Sequence, residues 1–320
     1  MTSVITAQSL TMRFRGCDAL RGVDFAIEPG SVFALLGENG AGKTTMIRIM
    51  TGFQKPTSGE CTVCGIDPTR HPLEVRRRVG YVSDAPALYD WMSVGEIGWF
   101  TASFFPDGFL PAYRESIRRY EIPEDRKIRH LSKGQRAKVA LSLALAHDPE
   151  LLILDEPTSG LDPMVRRDFL ESMIDRAASG RTVFLSSHQI SEVERVADTI
   201  AILHEGKLRV VAPLIELKQS MTELTVSLDD PLVAIPSIDE PAEVMCDELL
   251  GRQRRMVVRN FTPEMHARLA SATGVVSVHE RPLSLEEIFI ACTKGSLSRP
   301  QGDSDPAAVT PQAAAMEVTI

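Results

Sequence analysis

A glycine-rich stretch near residue 40 constrains this 320-residue chain more than any other feature. It follows an apolar run, Val32 to Leu36, that is typical of a buried parallel strand, and a helix-compatible run from Thr45 to Met50 comes after it. The stretch fits the pattern G-x-x-x-x-G-K-[ST] of a phosphate-binding loop. Its residues are Gly37, Glu38, Asn39, Gly40, Ala41, Gly42, Lys43, Thr44 and Thr45. A strand, a glycine loop and a helix in this order predict an α/β core that binds phosphate groups.

The residue types in this loop suit the phosphates of a nucleotide. Glycines let the backbone approach the anion without a clash at Cβ, and successive N–H groups at a helix N-terminus attract negative charge. Lys43 is placed to reach the β- and γ-phosphates, and the Thr44 hydroxyl is placed to ligate Mg²⁺. A glycine-rich turn that carries a lysine by chance is the alternative interpretation.

Composition indicates an ordinary globular protein with one large α/β domain and a smaller one. The net charge of −8 argues against nucleic acid as the main partner. The longest apolar runs fall short of the ~18 residues that a spanning helix needs, so we expect no membrane crossing by this chain. Five scattered cysteines suit a reducing compartment. Cys61 and Cys64 form one C-x-x-C pair, which we interpret as buried apolar side chains, with a metal or redox site as the alternative.

Polar side chains follow two further apolar strands. The run Leu151 to Leu154 ends in Asp155 and Glu156, and a predicted strand from Arg181 to Leu185 leads to His188. A carboxylate at such a place is costly unless it is solvated or bound to a cation. Open α/β sheets bind ligands at the carboxyl ends of their strands. Lys43, Asp155 and His188 are therefore expected to lie at one sheet edge.

Helical patterns fill the chain from about residue 91 to residue 147. Ser93 and Glu96 have the spacing of a capping box, Pro106 to Pro111 is predicted to be a linker, and a second helix is predicted from Tyr113 to Tyr120. The sequence Leu131-Ser132-Lys133-Gly134-Gln135 then precedes a helix that starts at Arg136. A serine and a glycine at a helix N-terminus again indicate an anion-binding geometry.

The two ends of the chain differ from this middle part. Residues 4–28 hold two short alternating stretches, and Phe14 between them is either an exposed ring that stacks on an adenine or a core residue of a strand. From about residue 213 short strands and helices alternate, which predicts a small α+β unit. Residues 296–320 are rich in Pro, Ala, Ser and Asp and are predicted to be disordered.

The order of these motifs resembles the nucleotide-binding subunits of ABC transporters over residues 4–212. The resemblance implies a P-loop NTPase core with a mostly parallel sheet, an antiparallel β subdomain and an inserted helical subdomain. The domains are then residues 1–212 with the insert at about 91–147, a small C-terminal α+β domain at 213–295, and the tail at 296–320. The segment from Ser284 to Phe289 looks like that of subunits serving ABC-2 exporters.

The resemblance also assigns roles to single residues. The signature is Leu131 to Gln135, with Lys133 in place of a glycine, and the D-loop is Ser159 to Asp162. Glu156 is implied as the general base, His188 as the switch histidine, and Thr44 with Asp155 as the Mg²⁺ ligands. The implied ATP-binding residues are Phe14, Gly37, Glu38, Asn39, Gly40, Ala41, Gly42, Lys43, Thr44, Thr45, Asp84, Ser132, Gly134 and Gln135. Asp84 stands where the family usually has Gln, or sometimes Glu, and it keeps an oxygen acceptor on a shorter side chain.

The function implied is ATP hydrolysis that drives export through separate transmembrane permease subunits. The family further implies a head-to-tail dimer with a second ATPase subunit, ATP and Mg²⁺ as cofactors, and a peripheral position at the cytoplasmic face of the membrane. Two alternatives stay open at this point. One is a soluble ABC-type ATPase that acts on ribosomes or DNA, and the other is a nucleotide-binding regulator in which Glu156 is inert.

Overall fold

Three β-sheets organise residues 3–294, the part of the chain that this computed structural model describes. The strands are β1 (Ile5–Phe14), β2 (Cys17–Ile27), β3 (Val32–Leu36), β4 (Ser58–Val63), β5 (Val79–Val82), β6 (Leu151–Asp155), β7 (Thr182–Ser187), β8 (Thr199–His204), β9 (Lys207–Pro213), β10 (Met221–Leu228), β11 (Glu243–Leu250), β12 (Gln253–Arg259) and β13 (Val275–Pro282). The helices are α1 (Lys43–Met50), α2 (Pro72–Arg78), α3 (Val94–Ala102), α4 (Phe109–Arg119), α5 (Lys133–Leu145), α6 (Pro163–Ala178), α7 (Ile190–Val196), α8 (Leu214–Ser220), α9 (Pro263–Ala270) and α10 (Leu285–Lys294), with a 3₁₀ turn at Ile128–His130.

The central sheet has the strand order β5-β6-β7-β3-β8-β9. Its first five strands are parallel, and β9 pairs with β8 in the antiparallel direction. Strands β3, β6 and β7 are buried along their whole length, as the apolar runs 32–36, 151–154 and 183–185 within them require of strands covered on both faces. The predicted α/β class with a mostly parallel sheet is therefore confirmed.

Two antiparallel sheets complete the fold. The first has the order β2-β1-β4, and its buried residues, such as Ile5 and Leu20, share an apolar cluster with Phe33 and Leu35 of β3. The second has the order β11-β12-β10-β13 and packs α9 over one face through Leu224, among others. These sheets account for the antiparallel β subdomain and the C-terminal α+β region that the sequence predicts.

Helices α3, α4 and α5 and the 3₁₀ turn lie between β5 and β6 and surround an apolar cluster of their own. Helix α4 begins at Phe109, so the prediction of a linker up to Pro111 and a helix start at Tyr113 is wrong. Pro111 falls in the first turn, where a missing N–H costs nothing because that donor has no partner within the helix. Helix α5 faces two ways: Val139 packs into this cluster and Leu141 into the cluster under the central sheet.

Helix α6, the short helix α8 and strand β11 have no counterpart in the sequence-based prediction. Helix α6 starts at Pro163, and the Asp162 side chain caps it by accepting hydrogen bonds from the N–H groups of Met164 and Val165. An Asp-Pro pair of this kind is a recognisable helix start. Strand β11 has the sequence EVMCDELL, which does not alternate, so periodicity gave no signal for it.

The C-terminal helix α10 contacts β11 of the C-terminal sheet as well as α7 and β8 of the central α/β core. Its buried residues Leu285, Ile288 and Cys292 share one apolar cluster with Val193 of α7 and Ile200 of β8. The division of the chain at residue 212 stays a prediction, and the predicted disordered segment 296–320 lies outside the described residues. Among residues 3–294, no helix combines the length and the apolarity that crossing a bilayer requires.

The contact between α3 and α4 is tight enough to test by substitution. A Cβ atom added at Gly98 would lie 2.1 Å from Cε1 of the buried Tyr113, whose hydroxyl donates to the Val94 carbonyl at 2.8 Å. We expect Gly98→Ala to lower the melting temperature by a few degrees, because overpacking costs ~1–3 kcal/mol and exceeds the ~1 kcal/mol gained in helix propensity. Gly95→Ala in the same helix is the control, since its Cβ would meet Glu124 only at 3.3 Å. Equal melting temperatures for the two variants would contradict this packing.

Candidate active site

Three neighbouring strands of the central sheet deliver the predicted site residues to one edge. The phosphate loop follows β3, Asp155 ends β6 and is followed by Glu156, and His188 follows β7. In the strand order β7 lies between β6 and β3, so all three carboxyl ends are adjacent. A cavity of about 280 Å³ opens there. Its lining residues are Ala19, Glu38, Asn39, Gly40, Gly42, Lys43, Thr44, Thr45, Asp84, Asp155 and Glu156.

Close backbone approach fixes two of the loop glycines. A Cβ atom at Gly37 would lie 2.7 Å from the Leu203 carbonyl oxygen, and one at Gly42 would lie 2.4 Å from the Ala19 carbonyl oxygen. Gly42 also has a φ of 112°, in the region that only glycine occupies readily, and it is the N-cap of α1. The loop therefore turns directly into a helix N-terminus, whose N–H groups and dipole favour an anion in the cavity.

Lys43 places a buried ammonium group at the floor of this cavity. Its Nζ donates to the Gly37 carbonyl oxygen at 2.6 Å and to the Glu38 carbonyl oxygen at 3.3 Å. It also lies 3.2 Å from Oε1 of Glu156. A buried cation is tolerated only where carbonyl dipoles and an anion compensate for its lost hydration. The loop and Glu156 supply both.

Asp155 is held by two hydroxyl groups. Thr44 Oγ1 donates to its Oδ2 at 2.9 Å, and Ser186 Oγ donates to its Oδ1 at 2.9 Å. Burial raises the pKa of this carboxyl group, although both hydrogen bonds act to lower it. Ser186 was not predicted as a site residue; the signal was the register of the sheet, in which it stands beside Asp155 on the neighbouring strand.

The pair Thr44 and Asp155 fits a magnesium ion. Hydroxyl and carboxylate oxygens are the hard ligands that Mg²⁺ prefers, and a cation would offset the cost of burying a charged Asp155. Over the described part of the chain, no three His, Cys, Asp or Glu side chains converge as a metal site. A magnesium ion here would therefore take its remaining ligands from phosphate oxygens and water, as is usual for Mg²⁺ at nucleotide-binding sites.

Glu156 is fixed between a cation and an imidazole. Its Oε2 lies 2.8 Å from Nδ1 of His188 and accepts from the His188 backbone N–H at 3.3 Å. Its own N–H donates to the Ser186 carbonyl at 3.0 Å. Its φ of 51° is unusual for a residue with a side chain, and such strain costs on the order of 1–3 kcal/mol and clusters at functional sites. The carboxylate is thus held beside the phosphate loop by Lys43 and His188.

Asp84 lies in the loop after β5 and borders two cavities. It lines the phosphate cavity and also a neighbouring cavity of about 270 Å³. The second cavity is lined by Lys133 and Arg136 of α5 and by Ser159 of the predicted D-loop, among others. Asp84 therefore connects the phosphate site with the predicted signature helix. Its part in catalysis stays a prediction.

The predicted signature residues lie outside the phosphate cavity of their own protomer. Ser132 and Gln135 instead form a capping box at the start of α5: the Gln135 N–H donates to Ser132 Oγ at 3.2 Å, and the Ser132 N–H donates to Gln135 Oε1 at 3.1 Å. The spacing S-x-x-Q is the sequence signal for this box, and α5 therefore begins at Lys133 and not at the predicted Arg136. Gly134 allows a close approach to α6, because a Cβ atom there would lie 3.1 Å from Val165.

Phe14 ends β1 with its ring 44% exposed and pairs with Cys17 across the turn into β2. It is not among the residues that line the phosphate cavity, although Ala19 of the same hairpin is. A stacking role for the ring stays a prediction. Of the cysteine pair, Cys61 is buried in β4 as predicted, whereas Cys64 is only half-buried, so the prediction is wrong for Cys64. Burial raises the pKa of both thiols to about 12, so both are protonated at neutral pH.

Comparison with known proteins shows which family has this arrangement of loop, strands and site residues. The family model described as "ABC transporter" matches residues 20–159. The ABC transporter ATP-binding protein YtrB of Bacillus subtilis is 31% identical over 298 residues, which cover 90% of this chain and 97% of the relative. The chain belongs to the ATP-binding proteins of ABC transporters. The alternatives that the sequence left open, a ribosome or DNA ATPase and a regulator without turnover, gain no support from these matches.

Other relatives of this ABC ATPase agree. The Nod factor export ATP-binding protein I of Burkholderia pseudomallei is 32% identical, and the match covers 90% of this chain and 96% of the relative. A solved structure entitled "Structure of ATP binding subunit of ABC transporter" aligns with a TM-score of 0.63 and 29% identity, over 68% of this chain and 92% of that one. The chain therefore binds and hydrolyses ATP on a P-loop NTPase fold.

The burial of Asp155 makes a prediction about stability. Its folded-state pKa is raised above the unfolded value, so the ionised carboxylate costs stability once the pH exceeds the unfolded pKa of ~3.9, and this cost grows up to the folded pKa. We expect Asp155→Asn to raise the melting temperature at pH 7 by a few degrees without nucleotide or metal, because the amide can pair with the hydroxyls of Thr44 and Ser186. The same variant should lose the increase in melting temperature that Mg²⁺-ATP gives the wild type. Differential scanning fluorimetry at pH 5 and pH 7 measures both effects. A variant that melts below the wild type at pH 7 would contradict the burial cost.

Proposed function

We propose that this ABC ATPase powers export through separate transmembrane permease subunits. One observation carries the proposal: Glu156, the only carboxylate next to both Lys43 and His188 among the described residues, faces a phosphate-sized cavity. Relatives of the chain are named as a Nod factor export protein and a bacitracin transport protein, which supports export as the use of the hydrolysis.

Binding of ATP follows from the loop. Its N–H groups and the Lys43 ammonium would neutralise the β- and γ-phosphate oxygens. Phosphate oxygens would take over the role that the Gly37 carbonyl and Glu156 have for Lys43, so the lysine stays compensated. Thr44 and Asp155 would hold magnesium, which when bound supplies charge neutralisation at the phosphates. Phe14, on the hairpin that carries Ala19, would stack on the adenine.

Hydrolysis requires a base next to the γ-phosphate. Glu156 would accept a proton from the attacking water, and His188, which contacts the same carboxylate at 2.8 Å, would keep it oriented and contact the γ-phosphate. Asp84 borders the cavity and would sense the same oxygen atoms from the side of the helical region. The proposed base, cation and switch all follow the ends of three neighbouring strands, which supports their acting together.

A second ATPase subunit would complete the site. Ser132, Gly134 and Gln135 lie at the start of α5, outside the phosphate cavity of their own protomer, and Ser132 is exposed. In a head-to-tail dimer they would contact the γ-phosphate bound by the partner protomer. Hydrolysis then removes a charge that bridges two protomers, and the dimer opens.

The permease would dock on the helical region. A groove of about 350 Å³, with mostly apolar walls, runs between the loop after β5 and helices α3 and α5. Ser83 and Pro86 line this groove and flank Asp84, which lines the phosphate cavity. A permease segment bound in this groove would be displaced when that loop moves. Docking of this kind would hold the chain at the cytoplasmic face of a membrane, and the charge of −8 gives no reason to expect a nucleic acid partner.

Dimerisation offers a direct test of the signature residues. We expect Glu156→Gln to form an ATP-dependent dimer, because the amide keeps the site but cannot accept a proton. Adding Ser132→Arg should leave only monomer by light scattering, since a bulky side chain would fill the space of the γ-phosphate. Adding Ser179→Arg instead, at an exposed serine that ends α6, should not affect the dimer. ATP-dependent dimers that survive Ser132→Arg would contradict the assignment.

Purification from membranes tests the partner. We expect the tagged full chain, extracted in mild detergent, to bring down an integral membrane protein encoded with it. Substitutions in the groove, such as Leu143→Arg, should release that protein while leaving ATP binding intact, because Leu143 lies outside the phosphate cavity. Co-purification with ribosomal subunits in place of a membrane protein would overturn the transporter assignment.

A further inference from the structure

A buried carboxylate outside the phosphate cavity ties two catalytic segments together. Glu192 lies in the first turn of α7 and is 3% exposed. Its Oε2 accepts a hydrogen bond from the hydroxyl of the equally buried Thr158 at 2.5 Å. Its Oε1 lies 3.0 Å from Nε of Arg166 on α6, whose Nη2 donates to the Leu161 carbonyl at 3.3 Å. The side chain thus joins α7, α6 and the turn after β6.

This contact is the second of two that join the same pair of segments. The first segment, the turn 156–161, follows β6, and the second, residues 188–192, follows β7. Glu156 contacts His188 at one end, and Thr158 contacts Glu192 at the other. Two contacts between short segments fix their relative rotation, whereas one contact would leave a hinge. The position of His188 against Glu156 therefore depends on Glu192.

Packing alone does not explain a charge at this place. A buried glutamate is costly unless charged or hydrogen-bonding partners compensate for its lost hydration, and apolar side chains of similar volume often serve stability equally well. Every partner of Glu192 lies on an element that begins next to the site: Thr158 two residues after Glu156, and Arg166 in the first turn of α6. The hydrogen bond from Thr158 is directional, so it fixes geometry as well as distance, and the Arg166 guanidinium supplies the opposite charge.

We propose that Glu192 is a positioning residue for ATP hydrolysis, which sets the Glu156–His188 geometry through Thr158 and Arg166. The inference rests on the proposed role of Glu156 as the general base. It also gives a route for movement: a shift of His188 moves the start of α7, and Glu192 transmits it to the turn 156–161 and to α6. This turn borders the cavity that contains Lys133 and Asp84.

Substitution of Thr158 tests the link without removing the charge. Thr158→Val keeps the shape of the side chain and deletes the hydrogen bond to Glu192. We expect kcat to fall about tenfold and the KM for ATP to stay within about twofold, because a displaced general base slows the chemical step but does not weaken ATP binding. Thr158→Ser keeps the hydroxyl and should keep kcat within about twofold. The matched control is Thr182→Val, because Thr182 is also buried and its hydroxyl accepts from the Gly30 N–H at the far end of β7. This control should leave kcat unchanged.

A second readout does not depend on activity. Hydrogen exchange of the backbone amides of α7 should rise several-fold in Thr158→Val, although the substitution lies outside that helix. If Thr158→Val does not fold, Thr158→Val/Glu192→Met removes both members of the Thr158–Glu192 hydrogen bond, which is often nearly neutral for stability. Arg166 then loses its ion-pair partner, but a third of its side chain is exposed to solvent. That double variant should show the same tenfold loss of kcat.

The inference is overturned if Thr158→Val keeps kcat within twofold of the wild type, if Thr158→Ser falls as far as Thr158→Val, or if the folded double variant has the wild-type kcat. Failure of the proposed function looks different: Glu156→Gln would then retain hydrolysis, whatever the Thr158 variants do. Loss of activity in Glu156→Gln with normal activity in Thr158→Val would reject only the role of Glu192.

Discussion

The buried ammonium group of Lys43 is the interaction on which the rest of the site depends. A cation can stay in this interior only because the Gly37 and Glu38 carbonyl oxygens and the Glu156 carboxylate surround it. The same requirement makes the cavity receptive to phosphate, which can replace Glu156 as the compensating anion. In the proposed mechanism, a carboxylate freed from the lysine would then be available to accept a proton. Charge compensation in the free protein and catalysis in the complex would thus use the same groups.

The parallel sheet explains how a few residues that are distant in sequence form one site. Strands β6, β7 and β3 are neighbours and run in one direction, so Asp155, Ser186 and Lys43 meet although they are far apart in sequence. The register places Ser186 beside Asp155, and the sharp turn at Glu156 directs its carboxylate to His188. Because these strands are buried on both faces, the site is held by close-packed elements.

The parts that could be predicted from sequence are those with local signals. The spacing of Gly37, Gly42 and Lys43 identified the phosphate loop, and the position of Asp155 and Glu156 after an apolar run identified the second part of the site. Local signals were also present for α6 and for the Ser132–Gln135 capping box, and these were overlooked. Strand β11 could not be predicted, because its place is set by pairing with β12 and contact with α10.

The contacts of Glu192 show why the other parts of the site could not be predicted from the sequence. In sequence it is one acidic residue on a polar helix face, and nothing in the spacing connects it with Thr158, 34 residues earlier. Burial and pairing are tertiary properties, and they separate a solvated glutamate from one that links two catalytic segments. The same holds for Ser186, whose contact with Asp155 follows only from the pairing of β6 with β7.

Phosphate release by Glu156→Gln, together with its affinity for ATP, tests the central claim most directly. If Glu156 is the general base, steady-state hydrolysis falls by ~10²–10⁴ while the dissociation constant for ATP stays close to that of the wild type. Glu150→Gln, an exposed site before β6 with the same change of charge, should hydrolyse ATP at the wild-type rate. Undiminished phosphate release by Glu156→Gln would contradict the account.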